Sequence, residues 1–177
     1  MCQQVVYPNN GASFLFLEKN NMNKSNALKI TLELVWWAIT AIAAWVVLKP
    51  IHKAMHVWPF ETWNVVFVVL LITLTRYTFL LKHTFISKQQ ILKIVLMLLM
   101  FPLTFLLIER VNEFLVFIEE QTWEPLTGHL PPAQQPVIEE YIWGEMLFFG
   151  VGSAIAAPVF AGRMMLSIWR TKNRGTV

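Results

Sequence analysis

Residues 91–108, ILKIVLMLLMFPLTFLLI, are the shortest of four apolar runs, and their length decides the fold. A bilayer core of about 30 Å takes roughly 20 helical residues, whereas a helix buried in a soluble core runs to roughly 10 to 14. This run exceeds the second length and carries one charge, Lys93, near its start. Three longer runs cover about residues 27–48, 62–81 and 143–169. Four such segments with short connections leave no room for a separate soluble domain. The predicted class is all-α: a polytopic transmembrane bundle of four helices.

Composition leads to the same class. Of 177 residues, 56% are apolar and 14% charged, and aspartate is missing altogether. A soluble core of this length exposes more charge than that. The apolar runs are continuous and do not alternate in polarity, which argues against a transmembrane β-barrel. A single cysteine, Cys2, excludes an intramolecular disulfide and any metal-type cysteine pair.

The transmembrane domain is expected over 27–169, followed by a basic tail at 170–177. Residues 1–26 read as a disordered extension, because their short patch FLFL has no basic segment before it, as a signal peptide would. Met22, followed by NKSNALK, has the polar and basic character of a natural start.

Lysines and arginines set the expected orientation. With the N-terminus inside, Lys19, Lys24, Lys29, Arg76, Lys82, Lys88, Lys93, Arg163, Arg170, Lys172 and Arg174 fall on the inner side. Lys49, Lys53 and Arg110 fall outside. The positive-inside rule therefore places both termini in the cytoplasm. Lys82, His83, Lys88, Arg170, Lys172 and Arg174 would then meet anionic headgroups, so membrane lipid accounts for the basic balance without nucleic acid.

The connection between the third and fourth runs is the one long loop. In 109–126, ERVNEFLVFIEEQTWEPL, the residues Val111, Phe114, Leu115, Ile118 and Trp123 recur at roughly helical spacing among glutamates. That pattern predicts an extension of the third span or an interfacial helix. PLTGHLPPAQQP then breaks the helix, and the next begins near Val137. Trp58, Trp123 and Trp143 are expected at the outer interface and Trp169 at the inner one. Pro102 and Pro158 are expected to kink their spans.

Arg76, in ITLTRYTFLLKH (residues 72–83), is the most conspicuous charge. A guanidinium near the bilayer centre costs roughly 2.5 to 3.5 kcal/mol on insertion scales, so it snorkels, pairs or faces water. Lys82 lies about 9 Å further along the same helix, within snorkelling reach of the headgroups. Glu33 in the first span and Arg163 in the fourth are expected at similar depth, forming an intramembrane polar cluster with Arg76. Glu109, Arg110 and Glu145 should form a second polar cluster at the outer side, with Arg110 bridging Glu145 or Glu113.

His52 and His56 in HKAMH are one helical turn apart, a spacing that can hold a metal. The simpler reading is a polar interfacial connector, and no metal or cofactor is expected. No phosphate-binding glycine loop, thiol site or nucleophile–base constellation is apparent in the sequence. In the fourth run, Gly144, Gly150, Gly152, Ser153, Ala154, Ala156, Ala157, Ala161 and Gly162 make a small-surfaced helix. Small residues let backbones approach in lipid, so this helix should be central in the bundle or form an oligomer interface.

The segments LTRYTFLLKHTF, EMLFFGVGSAIAAP and WRTKNRGTV resemble an uncharacterised family of small four-span bacterial membrane proteins. The resemblance covers residues 22–177 and implies the architecture without any chemistry. The functional expectation is a non-enzymatic accessory or scaffold component of the bacterial inner membrane. Its partner would be another membrane protein or a second copy of itself. The alternative is a small oligomeric transporter or channel-like protein with a polar path through Arg76 and Glu33.

Overall fold

A computed structural model describes residues 10–55, 57–80 and 89–173, with the backbone alone for 10–26 and Lys29. Among the described residues all regular structure is helical: α1 (Asn10–Ala54), α2 (Glu61–Leu80), α3 (Gln90–Gln121), α4 (Glu124–Thr127) and α5 (Gln135–Asn173). Four segments, Ile30–Ala54, Glu61–Leu80, Gln90–Gln121 and Gln135–Asn173, are long and apolar enough to cross a membrane. This is a multi-pass membrane architecture. At 1.5 Å per residue α2 is about 30 Å long, matching a bilayer core, while α3 and α5 reach about 48 and 58 Å and must tilt or project.

The chain divides into two compact units, Met1–Trp36 and Trp37–Val177. In the first, Leu28, Ile30, Leu32, Leu34 and Val35 of α1 are exposed, a surface suited to lipid. In the second, α5 is the organising element and packs against α2 and α3, with a smaller contact to α4. Phe67, Leu107, Phe114, Ile142, Met146, Ala157 and Met164 fill its seams and are almost wholly buried.

Close approach along α5 depends on two glycines. A β-carbon at Gly150 would stand 2.6 Å from Val111 Cγ2 of α3 and 3.4 Å from Phe67 Cε2 of α2. One at Gly152 would meet Leu71 Cδ2 at 3.1 Å. Gly144 and Gly162 have nothing within 4 Å, so the small-residue face is used in its middle and not along its whole length. Contacts from α2 to α5 advance together, from Asn64 with Glu145 to Phe67 with Gly150, Leu71 with Gly152 and Tyr77 with Phe160. These two helices are therefore parallel. Val111 with Gly150 and Phe114 with Trp143 run oppositely, which makes α3 antiparallel to α5.

Within the second unit, the rest of α1 buries the stripe Thr40, Ala44, Leu48 and Ile51. The spacing is that of one helix face. Trp37, Ile39, Ile42, Trp45 and Val46 remain exposed. The helix ends at Ala54, whose carbonyl would otherwise be an orphan and instead lies 3.0 Å from His129 Nε2.

The segment following Ile108 differs from a separate interfacial helix. It continues α3 to Gln121, because no breaker intervenes and Val111 and Phe114 stay on the buried face. Thr122 then terminates the helix at φ 60°, with its N–H donated to Ile118 O. After α4, α5 begins at Gln135, two residues before the expected Val137, with Pro136 in its first turn, where no backbone donor is needed. Pro102 and Pro158 lie within continuous α3 and α5.

Candidate functional site

The end of the second unit that carries the α3–α5 loop holds an aromatic cluster centred on Phe114. Its ring lies 5.5 Å from Phe60, 6.0 Å from Trp143 and 6.4 Å from both Trp58 and Trp123. Trp58 is buried in this cluster, so its indole packs inward and does not belong to a surface belt. The contacts with Phe60, Trp58 and Trp123 are edge-to-face, a geometry that adds about 0.5–1.5 kcal/mol each beyond area burial. Thr127 closes the loop: its hydroxyl, with one proton to give, lies within hydrogen-bond distance of both Trp123 O and Glu139 Oε1.

Two polar groups lie beside this cluster. Arg110 donates from Nη1 to Glu113 Oε2 at 2.6 Å, and its guanidinium carbon stands 5.0 Å from the Trp63 ring centroid. Glu145 is buried, and its Oε2 accepts from Asn64 Nδ2 at 2.8 Å. Glu109 is exposed. Of the two partners expected for Arg110, the structure supplies Glu113, three residues along its own helix. Glu145 is instead joined to Asn64, a residue the sequence reading did not single out. Its only sequence signal is an amide in the apolar run of α2.

Elsewhere, Arg76 is half-buried on α2 with its guanidinium carbon 5.0 Å from the Tyr77 ring, a cation–π distance. Arg163 is half-buried on α5 in the same unit. Glu33 is half-buried in the first unit. Arg170 and Lys172 are exposed in the last turns of α5, where cations complement the helix dipole. Lys82, His83, Lys88 and Arg174 lie outside the described residues.

His52 Nε2 is 3.1 Å from Glu61 Oε1, an exposed contact between α1 and the first turn of α2. His56 lies outside the described residues. Among the described residues no three His, Cys, Asp or Glu side chains gather as metal ligands. A groove of about 320 Å³ between α3 and α5 is lined by Ile108, Val111, Asn112, Leu115, Val151, Ala154 and Ile155. Comparison with family models, curated proteins and solved structures finds no match for the chain.

Proposed function

We propose that this chain is a non-enzymatic accessory or scaffold component of a membrane assembly, located in the bacterial inner membrane with both termini cytoplasmic. The observation that carries the reading is the seam around α5. Gly150 and Gly152 draw α5 against α2 and α3, and the space between them is filled by Phe67, Leu107, Met146 and Met164. Such a seam builds a rigid block. Transport instead needs a polar path through the helices.

The exposed surface is consistent with lateral association. Trp37, Ile39, Ile42, Trp45 and Val46 stand outward on α1, and Ile108, Val151 and Ile155 on α3 and α5. In lipid these residues gain nothing hydrophobic from association, so a partner helix would be held by packing and hydrogen bonds.

Purification in mild detergent from the native membrane tests the proposal, with a photo-crosslinker at Trp45 and a control at the buried Met146. A partner held in fixed stoichiometry and crosslinked from Trp45 is expected. Repeated recovery of the chain alone, with no crosslinked species, would refute it.

A further inference from the structure

The pair formed by Asn64 of α2 and Glu145 of α5 holds an unbalanced set of hydrogen-bonding atoms. Asn64 is 0% exposed and Glu145 8% exposed, and a single bond of 2.8 Å joins Asn64 Nδ2 to Glu145 Oε2. The other oxygen of each group, Asn64 Oδ1 and Glu145 Oε1, is also buried, and neither finds a donor among the described residues. An ionised carboxylate only accepts, and so does an amide oxygen. Leaving both unsatisfied carries the desolvation penalty of each group with nothing to offset it, and the penalty is larger for a charge.

The charged and titratable groups at this end of the surrounding elements are either bonded elsewhere or exposed. Tyr141, one turn earlier on α5, donates to Val47 O of α1 at 2.7 Å. Arg110 of α3 is paired with Glu113 and stacked on Trp63. Glu61 at the start of α2 is paired with His52 of α1, and Lys49 of α1 lies over the Trp45 ring. Glu139 of α5 accepts from Thr127 of α4. Glu109 of α3, Lys53 of α1 and Glu124 of α4 are exposed. Among the described residues no cation pairs with Glu145.

We propose that the Asn64–Glu145 pair is a proton-binding site that latches α2 to α5. A proton on Glu145 Oε1, donated to Asn64 Oδ1, gives both oxygens a partner and removes the buried charge. The acid and the amide then bond in both directions, and the two helices are joined by two neutral hydrogen bonds. Releasing the proton leaves a buried carboxylate with one donor, which weakens the α2–α5 contact.

Infrared spectroscopy of the purified full chain in lipid nanodiscs tests this across a pH titration. A protonated-carboxyl C=O band is expected at neutral pH in the wild type and should be lost in Glu145→Gln. That variant places an amide opposite Asn64 and keeps both hydrogen bonds without a titrating proton. Its thermal midpoint should therefore lack the fall on alkaline titration that the wild-type midpoint shows as alkali removes the proton. A wild-type spectrum with no such band at neutral pH, or identical pH profiles for the two proteins, would overturn the proposal. Labelling of the wild type by dicyclohexylcarbodiimide, which takes the proton of a carboxyl group in apolar surroundings and is then attacked by its oxygen, needs no folded variant. Modification of Glu145 at neutral pH, read by peptide mass, is expected. Labelling confined to acid, or prevented by sodium at constant pH, would overturn the proposal.

Discussion

Replacing Gly150 by alanine puts a methyl carbon 2.6 Å from Val111 Cγ2, on a helix face whose other flank already has Phe67 at 3.4 Å. Ordinary carbon–carbon contact lies at about 3.5–4.0 Å, so α5 and α3 must separate by about 1 Å. Moving toward α2 to gain that space is blocked by the Phe67 ring. Overpacking of this kind costs about 1–3 kcal/mol, and 1.4 kcal/mol is about tenfold in the unfolding equilibrium. Val111→Ala removes the clashing methyl group. The double variant should therefore be less destabilised than the two single changes added together, by about 0.5–3 kcal/mol. Three controls isolate the cause. Gly152→Ala meets the flexible tip of Leu71 at 3.1 Å and should cost less than Gly150→Ala. Gly144→Ala and Gly162→Ala meet nothing within 4 Å. They should be neutral or gain up to about 1 kcal/mol from reduced backbone freedom in the unfolded chain. Unfolding in mixed micelles, followed by circular dichroism as sodium dodecyl sulfate is titrated, measures the series. If Gly150→Ala matches the wild type, or Val111→Ala gives no relief, the glycine seam does not organise the bundle.

Thr122 is held at φ 60° and ψ −169°, a region that favours glycine. Thr122→Gly should raise stability by about 1 kcal/mol in the same titration, and a loss would show that the side chain contributes more than the backbone strain costs. In a Cys2→Ser background, a cysteine at Gln134 should react with a membrane-impermeant maleimide on intact cells, whereas one at Lys172 should react only after permeabilisation. The reverse pattern would invert the proposed orientation. Liposomes holding the purified chain should pass ions and small solutes at the background rate, with Arg76→Leu no different. Flux above background that depends on Arg76 would refute the scaffold reading in favour of transport.

The four spans were legible because continuous apolar length is a local property. Bilayer thickness sets the required length directly, and each run meets it without reference to the others. The full extent of α3 was less legible for the same reason. Glu109 and Arg110 end the apolar run, yet they face outward and sideways while Val111 and Phe114 remain buried. Hydropathy reports where a helix leaves an apolar environment, whereas the helix itself ends at a backbone event, here Thr122. His129 is the group that meets the end of α1, a contact between residues 75 apart that no local pattern encodes.

The Asn64–Glu145 pair was hidden for a related reason: it depends on the register between two helices, which single-sequence patterns do not specify. Asn64 and Glu145 lie 81 residues apart, and nearly the same separation recurs from Phe67 to Gly150, Leu71 to Gly152 and Tyr77 to Phe160. One register thus accounts for all four contacts. Gly150 and Gly152 fix it, because only there can Phe67 and Leu71 approach the α5 backbone so closely. Once they are fixed, Asn64 lies almost one turn before Phe67, and Glu145 lies more than one turn before Gly150. The two polar groups are carried into the same buried layer. A sequence reading that ranks Glu145 with the other glutamates of the loop end misses this, since its neighbours along the chain are set by α5 and its hydrogen-bond partner by α2. The glycines and the buried carboxylate therefore form one system. A slip of one residue along the seam would close off the glycine contacts and part Glu145 from Asn64.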